Sequence, residues 1–430
     1  MLIEFRVENH RSLKTEQVFT FEEARAGGED DRPRKVAGHE HRILTVAAVY
    51  GANASGKSNL LDALTFMQDA VVRSHRMWEP ESGVPRDPFA WNTEPTAPSS
   101  YIASFIADEI RFEYGFRAND ERFLEEWLYA YPHGRKQVWF ERDEQSFKFG
   151  DSLRGENRLV EQVTRPNALF LSVAAQHKIV QIEPVYHLFR SIGSFNIRRS
   201  SARWPYEPRL EYWLSRVLIV PNEPVQGSLF GDTPNWRAGE LRRLLTSADV
   251  GIVDIKLIPD PSTEGDRSAG RARGRVMLQH KTSRPDSWLP LEQESQGTLS
   301  LLRMAPTLVE AMRHGGLVVV DELEASLHPL LALNLVKQFN SPSTNPNNAQ
   351  LLFATHDTNL LGTVLGEPAL RRDQVWLSEK DAEGATQVYP LSDFKPRKEE
   401  NLERGYLQGR YGAIPFIGSG LSRGSEDPLA

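Results

Sequence analysis

Two patterns of apolar and polar positions run through this sequence. In the first, a short unbroken apolar run ends on a polar or charged residue, which is typical of a strand buried on both faces of a parallel sheet. Three such runs occur, at residues 43–50, 317–320 and 351–354. In the second, apolar and polar residues alternate, which predicts antiparallel strands at residues 1–9 and 15–22 and a meander over residues 101–150. Together they predict an α/β fold with an antiparallel β subdomain.

Elsewhere the apolar residues recur every three or four positions, which predicts helices. One helix follows residue 57 and runs to about Met77, and a Pro-rich irregular link covers residues 79–99. Further helices are predicted at residues 167–176, 184–192, 208–218 and 236–247. Further strands are predicted at residues 250–258, 274–280, 374–378 and 386–391. The aromatic residues of the meander fit a sheet core better than a surface that stacks on bases.

The strand at residues 43–50 leads into a glycine-rich turn. Residues 51–58 are Gly-Ala-Asn-Ala-Ser-Gly-Lys-Ser, which fills every fixed position of the phosphate-loop pattern Gly-x-x-x-x-Gly-Lys-Ser/Thr. Backbone N–H groups in such a turn, together with the N-terminus of the following helix, hold phosphate. We expect Lys57 to reach the β- and γ-phosphates and Ser58 to bind Mg²⁺. The residues predicted to bind ATP here are Gly51, Asn53, Ser55, Gly56, Lys57, Ser58 and Asn59.

Two later strands end on groups that suit phosphate hydrolysis. Residues 317–320 are followed by Asp321, expected to hold Mg²⁺ directly or through water, and Glu322, expected to polarise the attacking water. The next strand ends near His356, predicted to sense the γ-phosphate. A polar turn after a strand and a surface histidine are the simpler interpretations. The complete phosphate loop upstream favours the catalytic ones, with Lys57 as the third catalytic residue.

With these motifs the chain resembles an ABC-type ATPase head of the RecF/SMC kind. The resemblance rests on Walker A at 51–58, Walker B at 317–322, a D-loop at 326–329 and the switch histidine at 356. It predicts a signature motif one helix before Walker B, where residues 294–299 have the Ser-x-Gly core but not the full Leu-Ser-Gly-Gly-Gln.

In such heads the signature serine of one subunit caps the γ-phosphate bound by the other. The resemblance therefore implies that Ser295 and Gly297 bind ATP, although a helix N-cap alone would have the same geometry. It also implies a homodimer, or a higher oligomer, in which two copies sandwich two ATP–Mg²⁺. The implied fold is a P-loop NTPase with an inserted helical lobe. Its predicted divisions are residues 1–165 for the first ATPase lobe, 166–300 for the helical lobe and 301–430 for the remaining core.

More closely, the chain resembles the stand-alone ABC-like ATPases of bacterial anti-phage defence operons. This RloA/AbiL-like group is related to the ATPase half of overcoming-lysogeny-defect nucleases. The similar stretches are residues 7–12, 50–59, 354–361 and 408–415. By this resemblance Arg11 approaches the nucleotide phosphates and Gln176 links Mg²⁺ to the helical lobe. A surface cation and a polar helix residue are the respective alternatives, and His10 stands where relatives often have an aromatic residue.

Composition narrows the function further. The 430 residues carry a formal charge of −7 and no cysteine, which excludes disulfides, a thiolate nucleophile and a cysteine zinc site. Strand-length apolar runs and an N-terminus without a signal-peptide core predict a cytoplasmic protein without membrane contact. The motifs leave no room for a coiled-coil arm, and we expect the segment after His356 to be too short for a nuclease domain.

These features predict an ATP-hydrolysing sensor or regulatory subunit of an anti-phage defence system. We expect it to control a separately encoded effector, a nuclease or a toxin. The alternative is a RecF-like DNA-repair ATPase, whose contact with DNA or RNA would use the basic stretch that contains Arg267, Arg271, Arg273 and Arg275. A solvated loop also explains that stretch. A transporter ATPase is disfavoured because the meander and the helical insertion exceed a minimal head.

Overall fold

The computed structural model of the protein describes residues 1–24, 30–94, 96–197, 210–218, 236–247, 251–259, 274–284, 286–325, 327–364, 366–395 and 400–415. The strands are β1 Leu2–Glu8, β2 Gln17–Thr20, β3 Val46–Gly51, β4 Ser99–Ala107, β5 Ile110–Ala118, β6 Phe123–Tyr131, β7 Gln137–Asp143, β8 Ser146–Phe149, β9 Gly193–Phe195, β10 Ile252–Pro259, β11 Gly274–His280, β12 Trp288–Pro290, β13 Leu317–Val320, β14 Gln350–Ala354, β15 Val375–Lys380 and β16 Thr386–Pro390. The helices are α1 Lys57–Arg73, α2 Asn157–Val163, α3 Phe170–Gln176, α4 Glu183–Arg190, α5 Leu210–Leu218, α6 Trp236–Ser247, α7 Gln296–His314, α8 Pro329–Asn340 and α9 Leu402–Leu407.

The centre of the fold is a six-stranded sheet in the order β16-β15-β3-β14-β13-β9. The strands from β15 to β9 pair in parallel, and only β16 is antiparallel to its neighbour. The three apolar runs predicted as buried strands are β3, β13 and β14, and all their residues are buried. Since these strands are parallel, their carboxyl ends meet at one edge of the sheet.

Side-chain alternation along β3 divides the interior into two hydrophobic clusters. Ala47 and Val49 belong to the first cluster, together with residues of α1, α3, α4 and the antiparallel sheet. Val46, Ala48 and Tyr50 belong to the second, together with residues of α5 to α9 and of β10 and β11. The core sheet is therefore covered on both faces, as its unbroken apolar strands require.

The predicted meander is confirmed as part of a seven-stranded antiparallel sheet in the order β2-β1-β4-β5-β6-β7-β8. Tyr101, Phe112, Tyr114 and Phe140 are buried in the first cluster, as expected for a sheet core. The segment predicted to form the helical lobe is shared between the clusters: α3 and α4 pack in the first, and α5 and α6 in the second. The three-part division of the chain stays a prediction.

No helix in the ranges given above is both long and apolar enough to span a membrane.

Candidate nucleotide-binding site

The phosphate loop follows β3 and ends at the N-terminus of α1, as the sequence predicts. Gly56 has φ +106°, a conformation that an L side chain rarely adopts. A Cβ at this position would also collide with the Thr386 hydroxyl. Asn53 and Ser58 are exposed, whereas Ser55 is buried beneath the loop. The turn thus places the exposed groups and the first free N–H groups of a 17-residue helix at the carboxyl edge of the sheet.

Hydroxyl groups from distant parts of the chain support the loop from one side. Thr386 and Ser378, on β16 and β15, donate to the Ser55 carbonyl over 2.8 and 3.1 Å. Ser12 lies 2.7 Å from the Thr386 hydroxyl and accepts from Asn59 Nδ2 at 2.6 Å. These contacts were not predicted because the partners are 47 to 374 residues apart and form no local pattern.

Lys57 is the first residue of α1, and its side chain is buried against the phosphate loop. Its Nζ donates to the carbonyl oxygens of Gly51 and Ala52 over 2.8 and 2.9 Å. Burial lowers the pKa of Lys57 to about 8, while the carboxylates of Asp321, Glu324 and Glu322 act in the opposite direction. Lys57 and the three acids therefore share one electrostatic environment.

Asp321 and Ser58 form a pair that fits a magnesium ion. The Ser58 hydroxyl hydrogen-bonds to the Asp321 carboxylate, whose pKa burial raises. Asp321 is 7% exposed, and its buried Oδ1 has no hydrogen-bond partner within the described part of the chain. A hydroxyl beside an unpaired carboxylate oxygen is a ligand set of the kind that Mg²⁺ takes in phosphate sites.

Two glutamates follow Asp321, and they differ in their surroundings. Glu322 is exposed and has φ +52°, an uncommon conformation for this residue type. Glu324 accepts from Thr355 Oγ1 at 2.7 Å with one oxygen and from the His356 backbone N–H at 2.6 Å with the other. Glu322 is thus open toward the site, whereas Glu324 fastens the turn after β13 to the segment after β14. Glu324 was not predicted because the pattern of an apolar run plus two acids ends at Glu322.

His356 lies at the predicted place, two residues beyond the end of β14. Desolvation and the Lys57 ammonium lower the pKa of His356. The Glu324, Glu322 and Asp321 carboxylates raise it, but the net shift is downward. The imidazole is therefore predominantly neutral at pH 7, and its ring can donate one hydrogen bond and accept another.

Ser295 is the N-cap of α7, and its Oγ accepts from the Thr298 N–H at 3.1 Å. Ser295 and Gly297 are exposed, whereas the preceding Glu294 is fixed by His280 at 2.7 Å. The 19-residue α7 packs against β13 and β9. No hydrogen bond or ion pair among the described residues joins this turn to the phosphate loop of the same chain. The binding role of Ser295 and Gly297 stays a prediction.

Arg11 is held beside α1 by two carboxylates. Its Nε lies 3.2 Å from Asp62 and 3.3 Å from Asp87. His10 is buried between Tyr101 and the same Asp62, at 2.8 and 2.9 Å. The His10 ring is thus hydrogen-bonded at both nitrogens. The approach of Arg11 to the phosphates stays a prediction.

The prediction that Gln176 links the metal to the helical lobe is wrong. Gln176 lies at the end of α3, 3.5 Å from Tyr186, whose hydroxyl reaches the Val72 carbonyl near the far end of α1. At about 1.5 Å per residue, this end is about 20 Å from Lys57. The error arose because α3 is an apolar core helix, and its terminal polar residue resembled a motif.

A different polar residue borders the Ser58–Asp321 pair. The β9 strand is the neighbour of β13, and the Asp321 N–H donates to the Phe195 carbonyl at 3.0 Å. Asn196 follows directly, exposed and with φ +60°. The sequence analysis missed it because β9 has only three residues, too few for a periodic signal. Ser326 of the predicted D-loop and Arg267, Arg271 and Arg273 lie outside the described residues.

The chain is similar to known proteins in sequence and in fold. The family model described as "AAA domain, putative AbiEii toxin, Type IV TA system" matches residues 46–209 and 241–362. Among solved structures, an SMC head bound to the C-terminal winged-helix domain of ScpA is 13% identical, with 90% of this chain and 97% of that chain covered and a TM-score of 0.48. The SMC head domain from Thermotoga maritima is 12% identical, with 90% and 98% covered and a TM-score of 0.40. No curated protein matches the chain.

Proposed function

We propose the function of this chain from its family and its site: it belongs to the AAA-domain family described as putative AbiEii toxin of a type IV TA system. Its fold is that of a P-loop NTPase of the ABC ATPase type. The proposed activity is hydrolysis of ATP. The proposed role is that of a sensor or regulatory subunit that controls a separately encoded effector, a nuclease or toxin, in the cytoplasm of a bacterium defending itself against phage.

One observation carries the enzymatic part of this proposal. Lys57, the Ser58–Asp321 pair, Glu322 and His356 meet at the carboxyl edge formed by β3, β14 and β13. Groups that neutralise phosphate charge, hold a metal and orient water are the parts that phosphoryl transfer requires. A structural turn would need none of them, nor an unpaired buried carboxylate oxygen.

Each residue has a proposed task. Glu322, whose exposed carboxylate has no hydrogen-bond partner in the described part of the chain, would accept a proton from the attacking water. Lys57 and His356 would stabilise negative charge on the γ-phosphate. Ser58 and Asp321 would hold Mg²⁺, which when bound neutralises the charge on the phosphate oxygens.

The exposed signature turn supports a composite site. Ser295 and Gly297 are exposed at the start of a long helix, where the N–H groups of the first turn, apart from that of Thr298, have no partner within the helix and can bind an anion. We propose that they complete the site of a second copy, so that ATP joins two chains head to tail. Such a dimer would let the nucleotide state control whether an effector is held or released.

The family description names a putative toxin and a type IV TA system, which supports a place in such a system, and control of a separate effector is our proposal. The test is to purify tagged Glu322→Gln protein with ATP from its native host and to identify what accompanies it. We expect a small nuclease or toxin that is absent when Lys57→Ala is used instead. DNA recovered without any protein partner would support the repair ATPase and overturn the defence role.

The enzymatic role has its own test. Wild-type protein should hydrolyse ATP in the presence of Mg²⁺, Lys57→Ala should fail to bind ATP, and Glu322→Gln should bind ATP and accumulate as a dimer. Normal hydrolysis by Glu322→Gln would show that another group activates the water.

A further inference from the structure

The phosphate loop has two unlike sides. On one side, β14 and β13 bring His356 and the acids that follow Val320. On the other side lie β15, β16 and the turn around Ser12, which contribute the hydroxyls of Ser378, Thr386 and Ser12. We infer that a nucleotide whose γ-phosphate faces the acids and His356 extends its nucleoside toward this second side.

An aromatic residue stands at the rim of that second side. The backbone of Asp87 accepts from the Arg11 N–H at 2.7 Å, and the Phe89 N–H donates to Asn9 Oδ1 at 2.9 Å, so this segment is fastened to the turn that contains Ser12. Two residues later, the Trp91 indole covers Gly384, where a Cβ would collide with the ring.

Gly384 lies close to the loop along the chain. The hydroxyl of Thr386, two residues further, donates to the Ser55 carbonyl and would collide with a Cβ at Gly56. Two extended residues span at most about 7 Å, so the indole lies near the phosphate loop, on its second side. Phe89 packs edge-on against Trp91 at 5.6 Å and 85°, which restricts the indole from a second direction.

Trp91 is unusual in its exposure. It is 66% exposed, more than any other tryptophan that the structure describes, whereas Phe89 beside it is 4% exposed. Single exposed apolar residues are common on protein surfaces and need no explanation by themselves. Trp91 differs because its ring is supported by Gly384 and Phe89 and lies on the nucleoside side of a phosphate loop. A supported aromatic face with solvent on the other side is what a planar base stacks on.

We propose that Trp91 is the stacking platform for the base of the bound nucleotide, and that it favours a purine over a pyrimidine because the larger ring system covers more of the indole. This proposal rests on the nucleotide binding proposed above. It adds a base-binding subsite to the phosphate and metal groups. The subsite acts on affinity and base preference, and the hydrolytic groups remain those at the β13 and β14 side.

The test compares binding of ATP, CTP and inorganic tripolyphosphate, each with Mg²⁺, by titration calorimetry. Trp91→Ala should weaken ATP binding by about 5- to 150-fold, the usual range for loss of one base–aromatic stack. Trp91→Phe should retain most of the affinity, because a smaller ring still stacks. Tripolyphosphate has no base, so its binding should be equal in the wild type and Trp91→Ala.

Controls distinguish failure of the stacking proposal from failure of the proposed nucleotide binding. Tyr212→Ala removes another exposed aromatic ring, 42% exposed on α5, and should leave all three affinities unchanged. If the wild type binds neither ATP nor tripolyphosphate, or if Lys57→Ala binds both normally, the proposed nucleotide site is wrong. If the wild type binds ATP and Trp91→Ala binds it equally well, the stacking proposal is wrong. A parallel loss of tripolyphosphate binding in Trp91→Ala would show a structural role and would also overturn it.

Discussion

Lys57 is the residue whose charge decides how well the loop binds a triphosphate. Burial lowers its pKa to about 8, so in the free protein the ammonium loses its proton as the pH rises through that value. A bound phosphate would raise the pKa again, and binding at higher pH must therefore take up a proton. We predict that ATP affinity is constant between about pH 7 and pH 8 and then falls by up to about tenfold per pH unit. Calorimetric titration at half-unit steps would measure this slope.

Lys57→Arg provides the control for this prediction. A guanidinium stays charged throughout the range, so any affinity that this variant retains should not fall above pH 8. A wild-type affinity that stays flat up to pH 9.5 would show that Lys57 keeps its charge in the free protein.

A second prediction at the scale of one residue concerns Glu324. It accepts hydrogen bonds from Thr355 and from the His356 backbone, so it should position the histidine without touching the nucleotide. We predict that Glu324→Ala lowers kcat by about 10- to 100-fold with little change in KM, because two hydrogen bonds to a charged group are lost. Glu324→Gln, which can keep one acceptor, should be less impaired.

The matched control is Glu367→Gln, which removes the same charge from an exposed position that follows His356 in the chain. NMR titration of His356 gives a readout that does not depend on turnover. Since the Glu324 carboxylate raises the pKa of His356, Glu324→Gln should lower that pKa and Glu367→Gln should not. If Glu324→Ala still slows hydrolysis in a His356→Ala background by the same factor, Glu324 does not act through the histidine.

These residues show what the sequence can and cannot reveal at this scale. Lys57, Ser58, Asp321 and His356 were predicted because each sits in a short contiguous motif or ends an apolar run. Glu324 and the hydroxyls of Ser12 and Thr386 were not predicted, since their roles depend on strands that pair across the whole chain. Trp91 lies in a Pro-rich link that has no periodicity to interpret.

Among elements, the contact between the antiparallel sheet and α3 contains a buried ion pair. Glu126 and Arg142 are both inaccessible to solvent, 3.5 Å apart. Glu126 also accepts from the N–H groups of Phe170 and Leu171 at the start of α3 and from the Tyr114 hydroxyl. Removing it leaves Arg142 buried without its charge partner. We predict that Glu126→Ala lowers the free energy of unfolding by about 3–5 kcal/mol, measured by urea titration.

Glu125 is the control, since it is the preceding residue of the same strand. Its ion pair with Arg117 is about 45% exposed, and Glu125→Ala should change stability by less than about 1 kcal/mol. Equal losses for the two variants would mean that strand propensity, not the buried pair, governs this contact.

Elements were predicted well where their periodic signal was long. The meander and the strands β13 and β14 follow from alternation and from unbroken apolar runs. The short β9 gave no such signal and was not predicted, whereas Gln176, named from the family resemblance, lies at the end of α3 against Tyr186. The glycine at position 193 in β9 is required by packing between distant elements, because a Cβ there would collide with Thr307 on α7.

At the scale of the whole molecule, the composite site proposed above would join two separate features of one chain's surface. The phosphate loop and the acids lie at the ends of β3 and β13, while the signature turn lies at the start of α7, and no hydrogen bond or ion pair among the described residues joins that turn to the loop. A head-to-tail pair of chains would place two complete sites at one interface, as a twofold axis requires. No sequence pattern within one chain specifies that geometry.

The last prediction tests this arrangement by mixing two inactive variants. Lys57→Ala lacks the phosphate lysine, and Ser295→Arg blocks the signature turn with a bulky side chain, so each homodimer should hydrolyse no ATP. In a mixed dimer, the intact Lys57 of one chain meets the intact Ser295 of the other, which restores one of two sites. Because half of randomly formed dimers are mixed, an equimolar mixture should recover up to about a quarter of the wild-type rate. An ATPase assay of the mixture against each variant alone measures this recovery. Persistent activity of Ser295→Arg by itself, or a mixture as inactive as its components, would show that Ser295 does not complete the partner's site.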